Sequence, residues 1–290
     1  MGAPWFPLSE FPESQRASAS VELRYEDVAQ DGRATLIALP HTIGEVVWRK
    51  GLAAHEGNRA LFRQGVIPIL SRMVIEAGEE PIPVTRPVGA TGGYDLAHSV
   101  DERGEVERLF LDVVVDVFGK RGRTHQPGGD GQDVHVGRVF AEHIFTRPWG
   151  NRDERKVRAF DVVGMPAVPP RRRAFRPLET AAPPDAILLD AEPVLDPVPI
   201  HFGMMHTDSN QHVNSLVYVR LFEEALLRRH GASTALARWL EIGYRKPCFA
   251  GDRARIQLQA FTRDGEIGAF GAFVPEAGGK PYAYVAMGAR

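Results

Sequence analysis

A proline-rich stretch from Gly164 to Pro199 cuts this chain in two. It holds nine prolines: Pro166, Pro169, Pro170, Pro177, Pro183, Pro184, Pro193, Pro197 and Pro199. Proline fixes φ and has no amide hydrogen, so a run this dense is neither a helix interior nor a central strand. An extended connector is expected. The chain should therefore organise as one block over residues 1–163, a linker over 164–197 and a second block over 198–290. With 290 residues, each block is long enough to bury a core of its own.

The two blocks read alike. In the first, Val21–Tyr25 and Arg33–Leu39 carry strand patterns, separated by the turn signal Gln30-Asp31-Gly32. A helix is expected from Thr42 to His55, with Ile43, Val46, Val47 and Leu52 near helical spacing and Gly51 weakening it. Strand-rich segments follow at Val66–Ala77, Gly93–Val100, Val106–Phe118 and Val134–Phe145. The run Leu109–Phe118 is too continuously apolar for an exposed strand and is expected at the sheet centre. The stretch Gln126–Gln132 reads as a mobile glycine-rich turn. The second block repeats the order: a strand near Val198–Met205, a turn, and an amphipathic helix Ser215–Arg229. Its stripe is Leu216, Val219, Phe222 and Leu226, with Arg220, Glu223, Arg228 and Arg229 toward solvent. Strands follow at Trp239–Arg245, Arg253–Thr262, Glu266–Val274 and Tyr282–Met287. His41 and His212 each stand just before a helix, eight residues ahead of Arg49 and Arg220 respectively.

Composition removes several classes of function. A net charge of −2 gives no basic face for nucleic acid. No run of about 18 apolar residues is present to span a bilayer, and the first residues lack the form of a secretory signal. The single cysteine, Cys248, excludes an internal disulfide and a cysteine-based metal cluster. A cytoplasmic, reducing setting is expected.

The densest polar constellation is His206-Thr-Asp208-Ser-Asn210-Gln-His212-Val-Asn214, at the entry to the second helix. Asp208, Asn210, His212, Val213 and Asn214, followed by Tyr218 and Glu223-Glu224, resemble the acyl-ACP thioesterases and related hotdog thioesterases. That family carries a D-x-N-x-H-V-N-N run entering its central helix. Tyr244-Arg-Lys-Pro-Cys248 resembles the family's Y-R-R-E-C segment, and Leu23–Glu26 with Asp31–Thr35 resemble its first half more weakly. Two positions depart: Ser215 stands where the family has its second asparagine, and Pro247 stands where it has a glutamate. The resemblance implies an α+β double hotdog, two antiparallel sheets each wrapped around a central helix. Its implied activity is hydrolysis of an acyl-CoA or acyl carrier protein thioester, in the setting of fatty acid or polyketide biosynthesis. It implies no cofactor, no metal, no nucleic acid and no membrane span, and either a monomer with pseudo-dimeric halves or a homodimer.

Thioester cleavage needs an activated nucleophile and stabilisation of charge on the carbonyl oxygen. Asp208 or His212 suits the base toward water, Asn210 a neutral positioner, and the unpaired first-turn amides of the helix a polarising group. Asn214 or Ser215 is a plausible N-cap, and any one of these residues alone would read as an ordinary helix cap. Cys248 paired with His212 is a weaker, covalent option; a lone strand cysteine is more often a small buried residue. Arg171-Arg-Arg173 suits an anionic carrier or simply a solvated linker, whereas His55-Glu56 and Asn58 end a helix and need no chemistry. Two rival readings remain. One is a double-hotdog dehydratase or lyase of polyketide type using His41 and Asp208, although the first half lacks the H-x-x-x-G-x-x-x-x-P pattern. The other is a non-catalytic acyl-binding protein.

Overall fold

Both apolar blocks solve the same problem, a helix that must be covered, by curling antiparallel strands around it. The computed structural model describes residues 11–52, 55–126, 131–151, 153–232 and 234–290. The expected turn at 126–132 and the N-terminal segment thus lie largely outside the described residues. The elements of the first half are β1 (Arg16–Val21), α1 (His41–Ile43), α2 (Glu56–Arg63), β2 (Ile67–Ala77), β3 (Val88–Val100), β4 (Val106–Lys120) and β5 (Asp133–Thr146). The connector contributes three two-residue strands, β6 (Arg171–Arg172), β7 (Ile187–Leu188) and β8 (Val194–Leu195). The second half holds β9 (Ile200–His201), α3 (Ser215–His230), β10 (Ala237–Tyr244), β11 (Arg253–Arg263), β12 (Glu266–Pro275) and β13 (Ala283–Ala289).

The strands run β1-β3-β4-β5-β2-β10-β13-β12-β11-β7. All pairings along this path are antiparallel, while β6 lies parallel on β3. The halves join where β2 meets β10, with Leu240 opposite Ile75 and Ile242 opposite Met73. Each edge strand thereby finds a partner in the other half, which removes two unpaired edges. Among the described residues no helix is long and apolar enough to cross a membrane.

Helix α3 is the better formed of the two central helices. Asn214 Oδ1 accepts the Leu216 amide at 2.8 Å, and Gly231 (φ 64°) closes the other end in the left-handed region that favours glycine. Tyr218, Val219, Phe222, Ala225 and Leu226 are buried; Val219, Phe222 and Leu226, fully inside, contribute about 1.5–3 kcal/mol each. Glu223, expected toward solvent, instead turns in and accepts the Ala237 amide at 2.8 Å.

The first half departs more from expectation. The strand expected over Val21–Tyr25 ends at Val21, because Asp27 caps the Arg24 amide at 2.8 Å and turns the chain. Residues 33–39 form a single turn, Leu36–Ala38, and not a strand. Leu36, Ile37, Ala38 and Leu39 are all buried, so the apolar run plugs the core on every side, a situation periodicity does not separate from a buried strand. The expected helix is α1 followed by a wide-wound π-type segment, Gly44–Leu52. Such winding is rare; here it lets the adjacent Val46 and Val47 both point inward, while Gly44 and Gly51 lower the cost of leaving α geometry. Glu56 and Asn58 do not end that helix; they begin a separate one, α2.

His143 on β5 is buried edge-on against Trp48, ring centroids 5.3 Å apart, and its Nδ1 has no hydrogen-bond partner. Burial pushes its pKa down from 6.5 to about 4. The unfolded chain therefore takes up this proton first, so the stability held by the neutral ring is complete above pH 6.5 and is lost as pH falls through 4. A gap of that size is worth about 3 kcal/mol. The His143→Leu variant is expected to lose this part of the acid sensitivity between pH 6.5 and 4, read as unfolding midpoints against wild type. Equal slopes in that window would refute the assignment.

Candidate active site

The Asp208–Asn214 run is a tight hairpin leading into α3. Thr207 and Val213 bridge, the Asp208 amide donates to the His212 carbonyl at 2.9 Å, and the Asn214 amide donates to the His206 carbonyl at 2.8 Å. The tip closes with Gln211 in the left-handed region, φ 64°, and its amide on the Asp208 carbonyl at 2.9 Å. Asp208 Oδ1 accepts the Asn210 amide at 2.8 Å, the local bond that makes Asp a turn initiator. The hairpin is anchored to the chain after β10 by the Val213 amide on the Cys248 carbonyl at 2.8 Å.

The three residues singled out from sequence thus share one turn, with different exposures. Asp208 is half-buried, whereas Asn210 and His212 are exposed. The His212 ring stands edge-on to Phe249 at 5.1 Å and makes no side-chain hydrogen bond to Asp208, Asn210 or Cys248 among the described residues. The cap is Asn214, not Ser215. Of the first-turn amides, Leu216 donates to Asn214 Oδ1 and Val217 to the Asn214 carbonyl. The Ser215 amide bonds nothing among the described residues, which leaves one free donor at the positive end of α3.

Beneath the hairpin lies an aromatic floor that the sequence did not single out as a unit. Tyr218 meets Phe273 at 5.0 Å, Phe202 at 5.9 Å and Tyr244 at 6.0 Å, each ring edge-on or tilted to its neighbour. Tyr244 Oη donates to the Ser215 carbonyl at 3.3 Å, steadying the helix entry. Cys248 is buried within this cluster. Burial, then the Asp252 charge, pushes its thiol up to about 12, and burial likewise raises the Tyr218 hydroxyl above its ordinary range.

His41 stands apart from this turn, in the first half. It borders a cavity of about 260 Å³ whose walls include Val21, Leu23, Leu39 and Val117, with Arg24 and Glu45 among its polar residues. Arg24 Nη2 donates to His41 Nε2 at 2.8 Å, which makes that nitrogen an acceptor and the ring neutral. Desolvation, then the charge of Arg24, lowers the His41 pKa; Arg220 of α3 adds to the effect, so the halves approach here. Asp208 is not among the residues lining this cavity.

Two of the three arginines in the run are taken up by carboxylates of the sheet. Arg173 Nη1 pairs with Asp112 at 2.7 Å and Arg171 Nε with Asp95 at 2.6 Å, which ties the connector to the outer face of the sheet. Only Arg172 remains exposed. Among the described residues no group of three or more His, Cys, Asp or Glu side chains is placed to hold a metal ion.

No family model and no curated protein sequence matches this chain. Solved structures do. An acyl-ACP thioesterase from Bacteroides thetaiotaomicron aligns over 96% of this chain and 99% of its own, with a TM-score of 0.61 at 15% identity. A 12:0-ACP thioesterase from Umbellularia californica aligns over 95% and 94%, with a TM-score of 0.58 at 14% identity. A peroxisomal multifunctional enzyme type 2 from Drosophila melanogaster aligns over 95% of this chain and 48% of its own, with a TM-score of 0.50 at 10% identity. At these identities the likeness establishes the fold, the double hotdog expected from the sequence, and leaves the chemistry to be argued from the site.

Proposed function

We propose that this chain hydrolyses an acyl thioester, carried on coenzyme A or an acyl carrier protein, by attack of water activated at the Asp208–His212 turn. The observation that carries the reading is the hairpin itself. It holds a carboxylate, an amide and an unbonded imidazole within five residues, next to the free Ser215 amide at the N-terminus of α3. The fold shared with two acyl-ACP thioesterases supports it.

His212 takes a proton from water as oxygen adds to the carbonyl carbon, and the carbonyl π pair moves onto oxygen. The oxyanion is met by the Ser215 amide and the positive helix end. Collapse expels the thiolate sulfur, which takes the proton back from the imidazolium. Asn210 positions the water, and Asp208 sets the turn that presents both.

A covalent route through Cys248 runs against its chemistry. Burial and the Asp252 charge hold its thiol well above the ordinary range, so it stays protonated at neutral pH and is a poor nucleophile. Cys248→Ala is expected to keep most of the activity and Cys248→Ser to match it. Trapping an acyl group on Cys248, or an inactive but folded alanine variant, would overturn the water mechanism.

The lyase reading places a proton-accepting role on His41, whose Nε2 lone pair already receives the Arg24 N–H. Two assays separate the classes. An acyl-CoA series followed by thiol release is expected to turn over, while a 3-hydroxyacyl thioester is expected to gain no enoyl absorbance. The reverse pattern replaces hydrolysis with dehydration, and binding without turnover of either substrate replaces both with a carrier role.

A further inference from the structure

The first half holds a second cavity, of about 130 Å³, at the end of its central helix away from His41. Its walls are mostly apolar: Leu52, Leu61, Leu96, Leu111, Phe145 and Met165. Gly57 makes the closure by Met165 possible, because a Cβ there would fall 2.7 Å from the methionine sulfur. Two polar tips interrupt these walls. Tyr94 lines the cavity at 6% exposed, and its hydroxyl bonds nothing among the described residues. Gln15 Oε1 is shut off from solvent and likewise has no hydrogen-bond partner. Arg16 pairs with Gly93, which brings Gln15, one residue earlier, alongside Tyr94, one residue later. Buried polar groups are nearly always paired, because leaving one unpaired is destabilising. Two of them side by side in one cavity call for a third group between them.

We propose that this cavity is a binding site for a small neutral alcohol or phenol, separate from the α3 hairpin. The lining residues set the chemistry. Gln15 Oε1 only accepts, so the ligand must donate, and the Tyr94 hydroxyl can donate in return, so the ligand should also accept. A hydroxyl does both on one atom, whereas a carbonyl leaves Gln15 unpaired. No Asp, Glu, Lys or Arg lines the cavity, so a charged ligand would shed its hydration with nothing to replace it. Size sets the body of the ligand. A dry apolar cavity of about 150 Å³ admits a benzene ring, which puts a phenol near the upper limit here. A single bridging water needs only about 10–15 Å³, a small part of this space, and would leave the apolar walls uncovered. The rim residues His55, Gly164 and Pro166 are exposed, so the ligand enters from solvent. His55 and Asn58, which as helix-ending residues had no chemistry to do, both line this cavity. Asn58 Nδ2 reaches only the Leu52 carbonyl, at 3.4 Å.

Calorimetric titration of the full chain with phenol and with toluene, its hydroxyl-free counterpart, tests this. Phenol is expected to bind at least about tenfold more tightly, as two added hydrogen bonds allow. Tyr94→Phe and Gln15→Leu are each expected to erase most of that preference while toluene affinity holds. Their thermal midpoints should not fall, since each change removes a buried polar group that has no partner. Tyr94→Phe differs from wild type by one oxygen, so it keeps the test open should Gln15→Leu fail to fold. A wild type that binds neither probe, or both alike, overturns the proposal. So does a preference for phenol that survives Tyr94→Phe, or a phenol-soaked structure whose cavity holds water alone. None of these readings depends on whether the α3 hairpin hydrolyses a thioester.

Discussion

Glu241→Ala is expected to destabilise the protein by about 3–5 kcal/mol, the cost of leaving a buried charge without its partner. Glu241 lies on β10 and is 3% exposed, and Arg72, which stands opposite Gly243 on β2 and so diagonal to Glu241, is fully buried. Arg72 bonds Glu241, as well as the Pro177 carbonyl and, at 3.2 Å, the Arg176 carbonyl of the connector. Arg176 reaches the other Glu241 oxygen at 3.1 Å. One carboxylate thus neutralises a buried guanidinium at the seam between the halves and also fastens the strap that crosses it. Gly243, beside this pair, leaves room for that crossing, since a Cβ there would fall 2.4 Å from the Leu178 carbonyl oxygen.

Removing Glu241 leaves Arg72 charged, dry and unpaired, which is why the penalty exceeds what the pair itself contributes. The comparison that isolates this is the double replacement Arg72→Met with Glu241→Leu. Desolvation of the ion pair roughly offsets its attraction, so the double variant is expected near wild-type stability. Chemical denaturation of the three proteins checks it. A single variant within about 1 kcal/mol of wild type, the size of a surface pair, would show the charge to be better hydrated than its burial implies.

This ladder also marks where sequence reading ran out. Asp112 sits inside the run whose apolar neighbours marked it as central, and Glu142 and Glu241 inside expected strands, yet strand periodicity gives no sign of what faces them. Their partners Arg171, Arg173 and Arg176 arrive from the connector, far away in sequence, and the run Arg171–Arg173 by itself reads as solvated or ligand-seeking charge. Only the fold brings the two sets together. By contrast α3 was legible almost to the residue, because its cap, apolar stripe and terminal glycine all point to the same helix. In the first half, Val46-Val47 read as part of an ordinary helix, and the chain between the two glycines instead adopts wide winding. Residues 36–39 failed for a related reason, since a run buried on all sides carries no period to read.

Under the proposed hydrolysis, activity rests on the hairpin at α3. His212→Ala is expected to lower turnover by about 10²- to 10⁴-fold, the contribution of a positioned general base. Asp208→Asn is expected to lower it by at least about tenfold. Its amide oxygen still accepts the Asn210 N–H, so the turn survives, but the turn no longer carries the carboxylate charge. Neither change should disturb the fold: His212 is exposed and contributes one ring contact, to Phe249, and Asp208 is half-buried with its carboxylate on a local amide. That separation makes the test decisive. If His212 only stabilises the helix entry, the midpoint of thermal unfolding falls together with activity, and His212→Gln, which keeps a polar side chain there, restores both. If His212 is the base, the midpoint holds, the glutamine variant is as inactive as the alanine variant, and added imidazole recovers part of the rate in the alanine variant alone. Wild-type rates in both His212→Ala and Asp208→Asn would move the chemistry elsewhere, with the cavity beside His41 the next place to look.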